Sequence, residues 1–246
     1  MSAHIEETND PLFGSNDAFT LDNAVWTSLA GPHARFAQVK GSAARYPSDV
    51  APFVAVAPEP GPAVWDDLAA LVGPGEPVGV PTVDLIPPDD WTVLGQMEGV
   101  QMVATTLRAE LDPEAVLLQS EDVPEMLAVV DRTKPGPFRL RTIELGNYYG
   151  FRRSGTLIAM AGERLHPPGF SEISAVCTDV AYRGQGLASR LVRTVAAGIH
   201  DRGETPFLHA VATNVDAIRL YASMGFTLRR LIMFRLIQVP GDVRPG

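Results

Sequence analysis

Cysteine is nearly absent from this chain: Cys177 stands alone in 246 residues. A single thiol excludes an intramolecular disulfide and any multi-cysteine metal cluster, so no metal is expected. Lysine is almost as scarce, with only Lys40 and Lys134 among the 20 basic residues. No run approaches the roughly 18 apolar residues of a membrane span. The opening stretch MSAHIEETNDPLFG is acidic and polar and lacks the basic and apolar regions of a secretory signal. A cytoplasmic protein without a membrane partner is therefore expected. A dense basic face is missing too. Residues 1–112 hold 4 basic and 16 acidic side chains, and residues 113–246 hold 16 and 13, against an overall net charge of −9. That balance argues against nucleic acid as a partner and is compatible with a local anionic ligand in the second half.

What is present describes a globular, core-forming chain, with 46% hydrophobic and 20% charged residues. Its length suits one large domain or two of ordinary size. In the first half, strands are expected near Phe53–Val56 and Val78–Val80, with a helix near Val64–Val72 between them. The stretch WTVLGQMEGVQMVATTL suggests two further strands. The break at Asp112-Pro113 marks a domain boundary, giving an N-terminal α/β domain of residues 1–112 and a second domain of 113–246. The second domain reads as a strand at Ala115–Leu118, a helix at Glu121–Asp131, strands at Asn147–Arg153, Thr156–Arg164 and Ile173–Thr178, and a helix at Gln185–Asp201. A strand at Phe207–Ala212, a helix at Val215–Met224 and a last strand in RLIMFRLIQV complete it. The fold class is α/β (α+β), a mixed central sheet flanked by helices.

The segment YRGQGLASRL raises the functional question. Gly184 and Gly186 stand where a helix is about to begin, although glycine destabilises a first helical turn. The N–H groups of that turn have no intrahelical acceptor, and bare backbone lets a large anion approach them. The glycines therefore clear space for phosphate. There is no Lys-Ser/Thr after them and no third glycine at dinucleotide spacing, which disfavours ATP or NAD.

Two ordered motifs carry a resemblance. Arg183-Gly184-Gln185-Gly186-Leu187-Ala188 fits the Arg/Gln-x-x-Gly-x-Gly/Ala signature, and Asn214, Ala217, Tyr221, Gly225 and Phe226 fit the pattern of a later helix. Over residues 113 to 238 the chain resembles the GNAT superfamily of acyl-CoA-dependent N-acyltransferases. The segments TKPGPF, AGER and EISAVCT look most like its FR47-like group. The resemblance implies a GNAT fold, acetyl-CoA as acyl donor and direct transfer to a primary amine of a small molecule, amino acid or peptide. It implies that the backbone from Gly184 to Ser189 holds the pyrophosphate, Arg183 and Asn214 contact the coenzyme, and the pantetheine arm lies along Val176, Cys177 and Thr178. In the family that strand splays from its neighbour at a bulge, which makes the Val176 amide the expected oxyanion donor. Tyr221 occupies the position of the acid that protonates the departing thiolate. Glu172 falls at the spacing of a general base, and a carboxylate in an apolar strand is expected to have a raised pKa.

These residues also have plainer readings. Tyr221 could be core, Asn214 a helix cap, Glu172 an edge charge facing solvent or Arg164, and His209 either a competing base through water or a satisfied core histidine. Cys177 is expected to pack against pantetheine rather than act as a nucleophile. Arg139, Arg141, Arg152 and Arg153, with Phe138 of TKPGPF, are candidates to line an acceptor cleft. The first half is similar to tandem GNAT arrangements whose first copy is degenerate. It is expected to cover the acceptor cleft or form a homodimer contact, and its acidity would steer a cationic acceptor. A non-catalytic acyl-CoA-binding regulator would carry the same coenzyme motifs.

Overall fold

The architecture comes from a computed structural model that describes residues 20–81 and 86–241; the opening segment, where no secretory signal was expected, lies outside them. Among the described residues the α-helices are α1 (Ala24–Leu29), α2 (Val64–Val72), α3 (Val123–Thr133), α4 (Leu187–Asp201) and α5 (Val215–Met224). The strands are β1 (Gln38–Lys40), β2 (Ala43–Arg45), β3 (Val54–Val56), β4 (Pro77–Pro81), β5 (Thr92–Ala104), β6 (Val116–Leu118), β7 (Tyr148–Arg153), β8 (Thr156–Glu163), β9 (Phe170–Thr178), β10 (Thr205–Val211) and β11 (Phe226–Gln238).

Helix α4 forms because Leu187, Leu191, Val192, Val195 and Ile199 fall on one stripe, and all five are buried. The stripe packs on Phe151, Ile158, Ala159 and Ile173 of the central sheet, in the largest core cluster of the second half. Each such side chain contributes about 1.5–3 kcal/mol of transfer free energy. Helix α5 is capped at its start by Asn214, whose Oδ1 accepts from the Ala217 N–H at 3.3 Å, and ends at Gly225 with φ +104°. A Cβ on Gly225 would meet the Leu107 nitrogen at 2.6 Å. That turn therefore requires glycine on two counts.

The central sheet has eight strands in the order β4-β11-β5-β10-β9-β8-β7-β6. Only β9 and β10 run parallel; the named pairings elsewhere in it are antiparallel. A three-stranded sheet, β1-β2-β3, packs with α1 and α2 alongside it. The stretch expected to give two strands is one strand of 13 residues, β5, paired along its length with β11. Gly99 does not mark a turn there. A Cβ at that position would lie 2.5 Å from Phe234, so the glycine permits close packing. Because β5 lies between β10 and β11, the sheet crosses the boundary expected at residue 112. The first half thus supplies a central strand of the second half's sheet.

Candidate active site

The parallel ladder between β9 and β10 is short. It pairs Thr205 with Phe170, Pro206 with Ser171 and Phe207 with Glu172, and goes no further. Beyond Glu172 the two strands part. On its other side, β9 carries one extra residue against β8: Met160 opposes Cys177 but Gly162 opposes Ser174. The bulge is taken up by Ala175, whose φ of +53° is unusual for a residue with a side chain. A left-handed alanine costs roughly 1–2 kcal/mol, and such strain concentrates where function needs a particular backbone shape. The expected bulge beside Val176 is therefore present.

The wedge between the strands opens into a cavity of about 1320 Å³. Val176, Cys177 and Thr178 line one wall; Arg183, Gly184, Gly186, Leu187, Ala188 and Ser189 form an end; Asn214 and Tyr221 close another side. Both loop glycines are left-handed, with φ of +76° and +73°, and a Cβ on either would enter open space. The loop is shaped by an absence of side chains, not by packing against neighbours. Gln185 departs from expectation: it is exposed and off the cavity wall. Thr178 adds an independent sign of a ligand, because its buried Oγ1 has no hydrogen-bond partner among the described residues. Together the open loop and the orphaned hydroxyl fit a long anionic ligand such as coenzyme A.

Tyr221 borders the cavity with only 8% of its surface exposed. Burial, reinforced by nearby Cys177, pushes its phenol up to about 12. It therefore keeps its proton at neutral pH. Burial also raises the Cys177 thiol, against a hydrogen bond from Thr133 that lowers it. A thiol so held is a wall, not a nucleophile.

Glu172 corrects the expectation of a raised pKa. Its side chain is fully buried and accepts two hydrogen bonds from Arg164, at 2.8 and 2.6 Å, and one from His209 Nδ1 at 2.7 Å. Burial alone would raise its pKa, but the Arg164 charge and the hydrogen bonds from Arg164 and His209 outweigh that and hold it at about 2. Glu172 is absent from the cavity wall. A carboxylate so paired is a poor proton acceptor. His209 takes its place at the wall, and the donors around it fix its tautomer. Arg229 donates to Gln101 Oε1 at 2.6 Å, which turns the Gln101 NH2 group toward the Leu21 carbonyl and His209 Nε2, at 2.9 and 3.0 Å. Nε2 is then the acceptor and Nδ1–H donates to Glu172.

The other acceptor candidates separate. Arg139 lines the cavity, as does Lys134-Pro135-Gly136-Pro137. Arg141 is paired with Glu144 and Asp49, Arg152 with Asp122 and Glu125, and Arg153 with Glu114, so these three are occupied elsewhere. Phe138 is buried against Tyr148, with ring centroids 5.4 Å apart, and serves the core. Sequence reasoning missed the opposite wall, where Phe53, Gly79, Met97 and Phe234 face the opening. Their presence depends on pairing of β11 with β5 and β4, which no local pattern announces.

A splayed parallel strand pair, a bulge and a glycine loop before a helix define an acyltransferase of the GNAT type. The comparisons agree. The pattern of the FR47-like protein family matches residues 148–234. A crystal structure from Novosphingobium aromaticivorans, assigned to the GNAT family of acetyltransferases, superposes with a TM-score of 0.82 at 40% identity, covering 89% of this chain and 97% of that one. The N-alpha-acetyltransferase RimI of Mycobacterium tuberculosis is 35% identical over 100 residues, 39% of this chain and 62% of RimI. An uncharacterized Mycobacterium leprae protein is 31% identical over 219 residues, 77% of this chain and 56% of that protein. The chain thus spans less than two thirds of the length of these two mycobacterial relatives. It belongs to the GNAT family of acetyltransferases.

Proposed function

We propose that the protein transfers an acetyl group from acetyl-CoA directly to a primary amine. The observation that carries this reading is the meeting, in one cavity, of the bulged β9, the open glycine loop and a protonated Tyr221. Acetyl-CoA supplies an acyl group already activated as a thioester. The N–H groups at the start of α4 bind the pyrophosphate, helped by the helix dipole. The Val176 amide donates to the carbonyl oxygen, where charge develops as the amine adds. The Tyr221 hydroxyl donates to the sulfur as it leaves. The amine displaces the Gln101 amide from His209 Nε2, which then takes the proton the amine loses, while Glu172, itself held by Arg164, accepts from Nδ1 and positions the imidazole.

Incubation with acetyl-CoA and a library of amines, read by release of free thiol, tests the reading. Thiol release with at least one amine supports it. Tight coenzyme binding with no release from any amine would replace it with a regulator that binds acyl-CoA.

A further inference from the structure

At about 1320 Å³ the cavity beside β9 exceeds the roughly 300–1,000 Å³ of a single small-molecule site, so it has room for the coenzyme arm and an acceptor together. Part of its wall is apolar. Phe234 pairs opposite Met97 and Leu236 opposite Gly95 across β11 and β5, which sets the three side chains on one face, and Met97 and Leu236 are exposed there. The first half of the chain, whose acidity was expected to steer a cationic acceptor, contributes no carboxylate to this cavity among the described residues. The acidic side chain on the wall is Asp216, in the first turn of α5 beside the coenzyme candidate Asn214. Positive charge is more plentiful, and most of it is committed. Arg164 is paired with Glu172, Lys134 with Asp131, and Arg183 Nε donates to the Thr178 carbonyl at 3.3 Å. Arg235 is engaged as well. The Arg139 guanidinium has no hydrogen-bond or ion-pair partner among the described residues. Its backbone, by contrast, is clamped. The Arg139 N–H donates to Thr142 Oγ1 at 2.7 Å, that buried hydroxyl donates to the Val50 carbonyl at 2.7 Å, and the Arg141 N–H donates to the Asp49 carbonyl at 2.9 Å. A fixed backbone that carries an uncommitted guanidinium on a cavity wall suits recognition of an anion.

We infer that Arg139 selects the acceptor, and that the acceptor is a small amine carrying a carboxylate on an apolar body. The inference rests on the proposed acetyltransferase reading and deepens it. The planar guanidinium takes the carboxylate through two parallel N–H bonds, and the apolar body lies on Met97, Phe234 and Leu236. The amine end stands in the same cavity as Val176, Tyr221 and His209. There the amine nitrogen bonds to the carbonyl carbon and the carbon–sulfur bond breaks. His209 receives the amine proton and Tyr221 supplies the thiol proton; solvent returns both to their starting states. Of the four arginines expected at an acceptor cleft, Arg139 is thus the one with both the position and the free charge.

The experiment uses two pairs of amines that differ only by the carboxylate: phenylalanine with phenethylamine, and 6-aminohexanoate with pentylamine. Thiol release from acetyl-CoA is measured for each, alongside calorimetric binding of each amine to protein saturated with coenzyme A. In at least one pair the carboxylate-bearing amine should exceed its counterpart in kcat/KM by roughly tenfold or more. Arg139→Gln should erase that difference through KM, with coenzyme affinity unchanged. Arg139→Lys, which keeps the charge but not the planar fork, should retain part of it. Turnover of the decarboxylated partner that equals or exceeds its counterpart in both pairs, or a preference that Arg139→Gln leaves intact, overturns the inference while sparing the acetyltransferase reading. Binding of a carboxylate-bearing amine that Arg139→Gln weakens, without thiol release from any of the four, sustains the role of Arg139 and overturns the acetyltransferase reading. Neither binding nor release with any of the four overturns the inference.

Discussion

Glu172 and Tyr221 show how burial alone does not decide what a titratable group can do. Both are buried, yet one is held at about 2 and the other is pushed up to about 12. Glu172 has two partners carrying or able to carry positive charge; Tyr221 has none among the described residues. For Glu172 the folded pKa lies below the ordinary glutamate value of 4.5, so its contribution to stability is complete above about pH 4.5 and is lost as pH falls toward 2. Glu172→Gln removes that contribution and leaves Arg164 buried beside a neutral amide. The expected loss is about 3–5 kcal/mol, seen as a lower midpoint in urea, with the gap between wild type and variant narrowing below pH 4.5. Tyr221→Phe should instead leave stability close to wild type and lower kcat by about 10²-fold, within the range for a positioned acid. Because the phenol keeps its proton, the two rate profiles should stay parallel up to about pH 10. A Tyr221-dependent fall at lower pH would contradict its assignment. The residue types at both positions were legible in the sequence. Their electrostatics were not, since Arg164 and His209 reach Glu172 only through strand pairing.

At the scale of elements, the glycine loop and the β9 bulge solve the same problem in different ways. Each frees backbone N–H groups, one by starting a helix without side chains, the other by parting two strands. The loop was readable because its signal is local: two glycines, then an apolar stripe at helical spacing. The bulge could be expected only from family resemblance, since Ala175 is an ordinary residue in an unusual conformation. Gly186→Ala tests the loop. The new Cβ would point into open space at a φ of +73°, straining the backbone and intruding on a bound diphosphate. Coenzyme affinity should fall at least tenfold by calorimetry, with the folded state lowered by only about 1 kcal/mol. Ala175→Gly makes the opposite prediction. Relief of the left-handed strain should raise the thermal midpoint slightly and leave coenzyme affinity unchanged.

The whole molecule is bound together by β5. Local periodicity located the helices and strands of the second half and β3, α2 and β4 of the first, but left α1, β1 and β2 unread and split the β5 stretch into two strands. Its role as a single shared strand depends on partners more than 100 positions away. The chain therefore does not divide at residue 112 into a catalytic unit and a removable cover. Met102 and Val103 of β5 are buried in the two cores on opposite faces of the sheet, and Gln101 supports His209. Deleting residues 1–112 would expose the facing edges of β10 and β11, and unpaired strand edges promote association between chains. The fragment of residues 113–246 alone should lack a cooperative unfolding transition and should aggregate. Supplying residues 1–112 as a separate chain during refolding should restore both a single transition and coenzyme binding. A soluble, cooperatively folded fragment with undiminished coenzyme affinity would show that the sheet closes without β5, contrary to the pairing seen here.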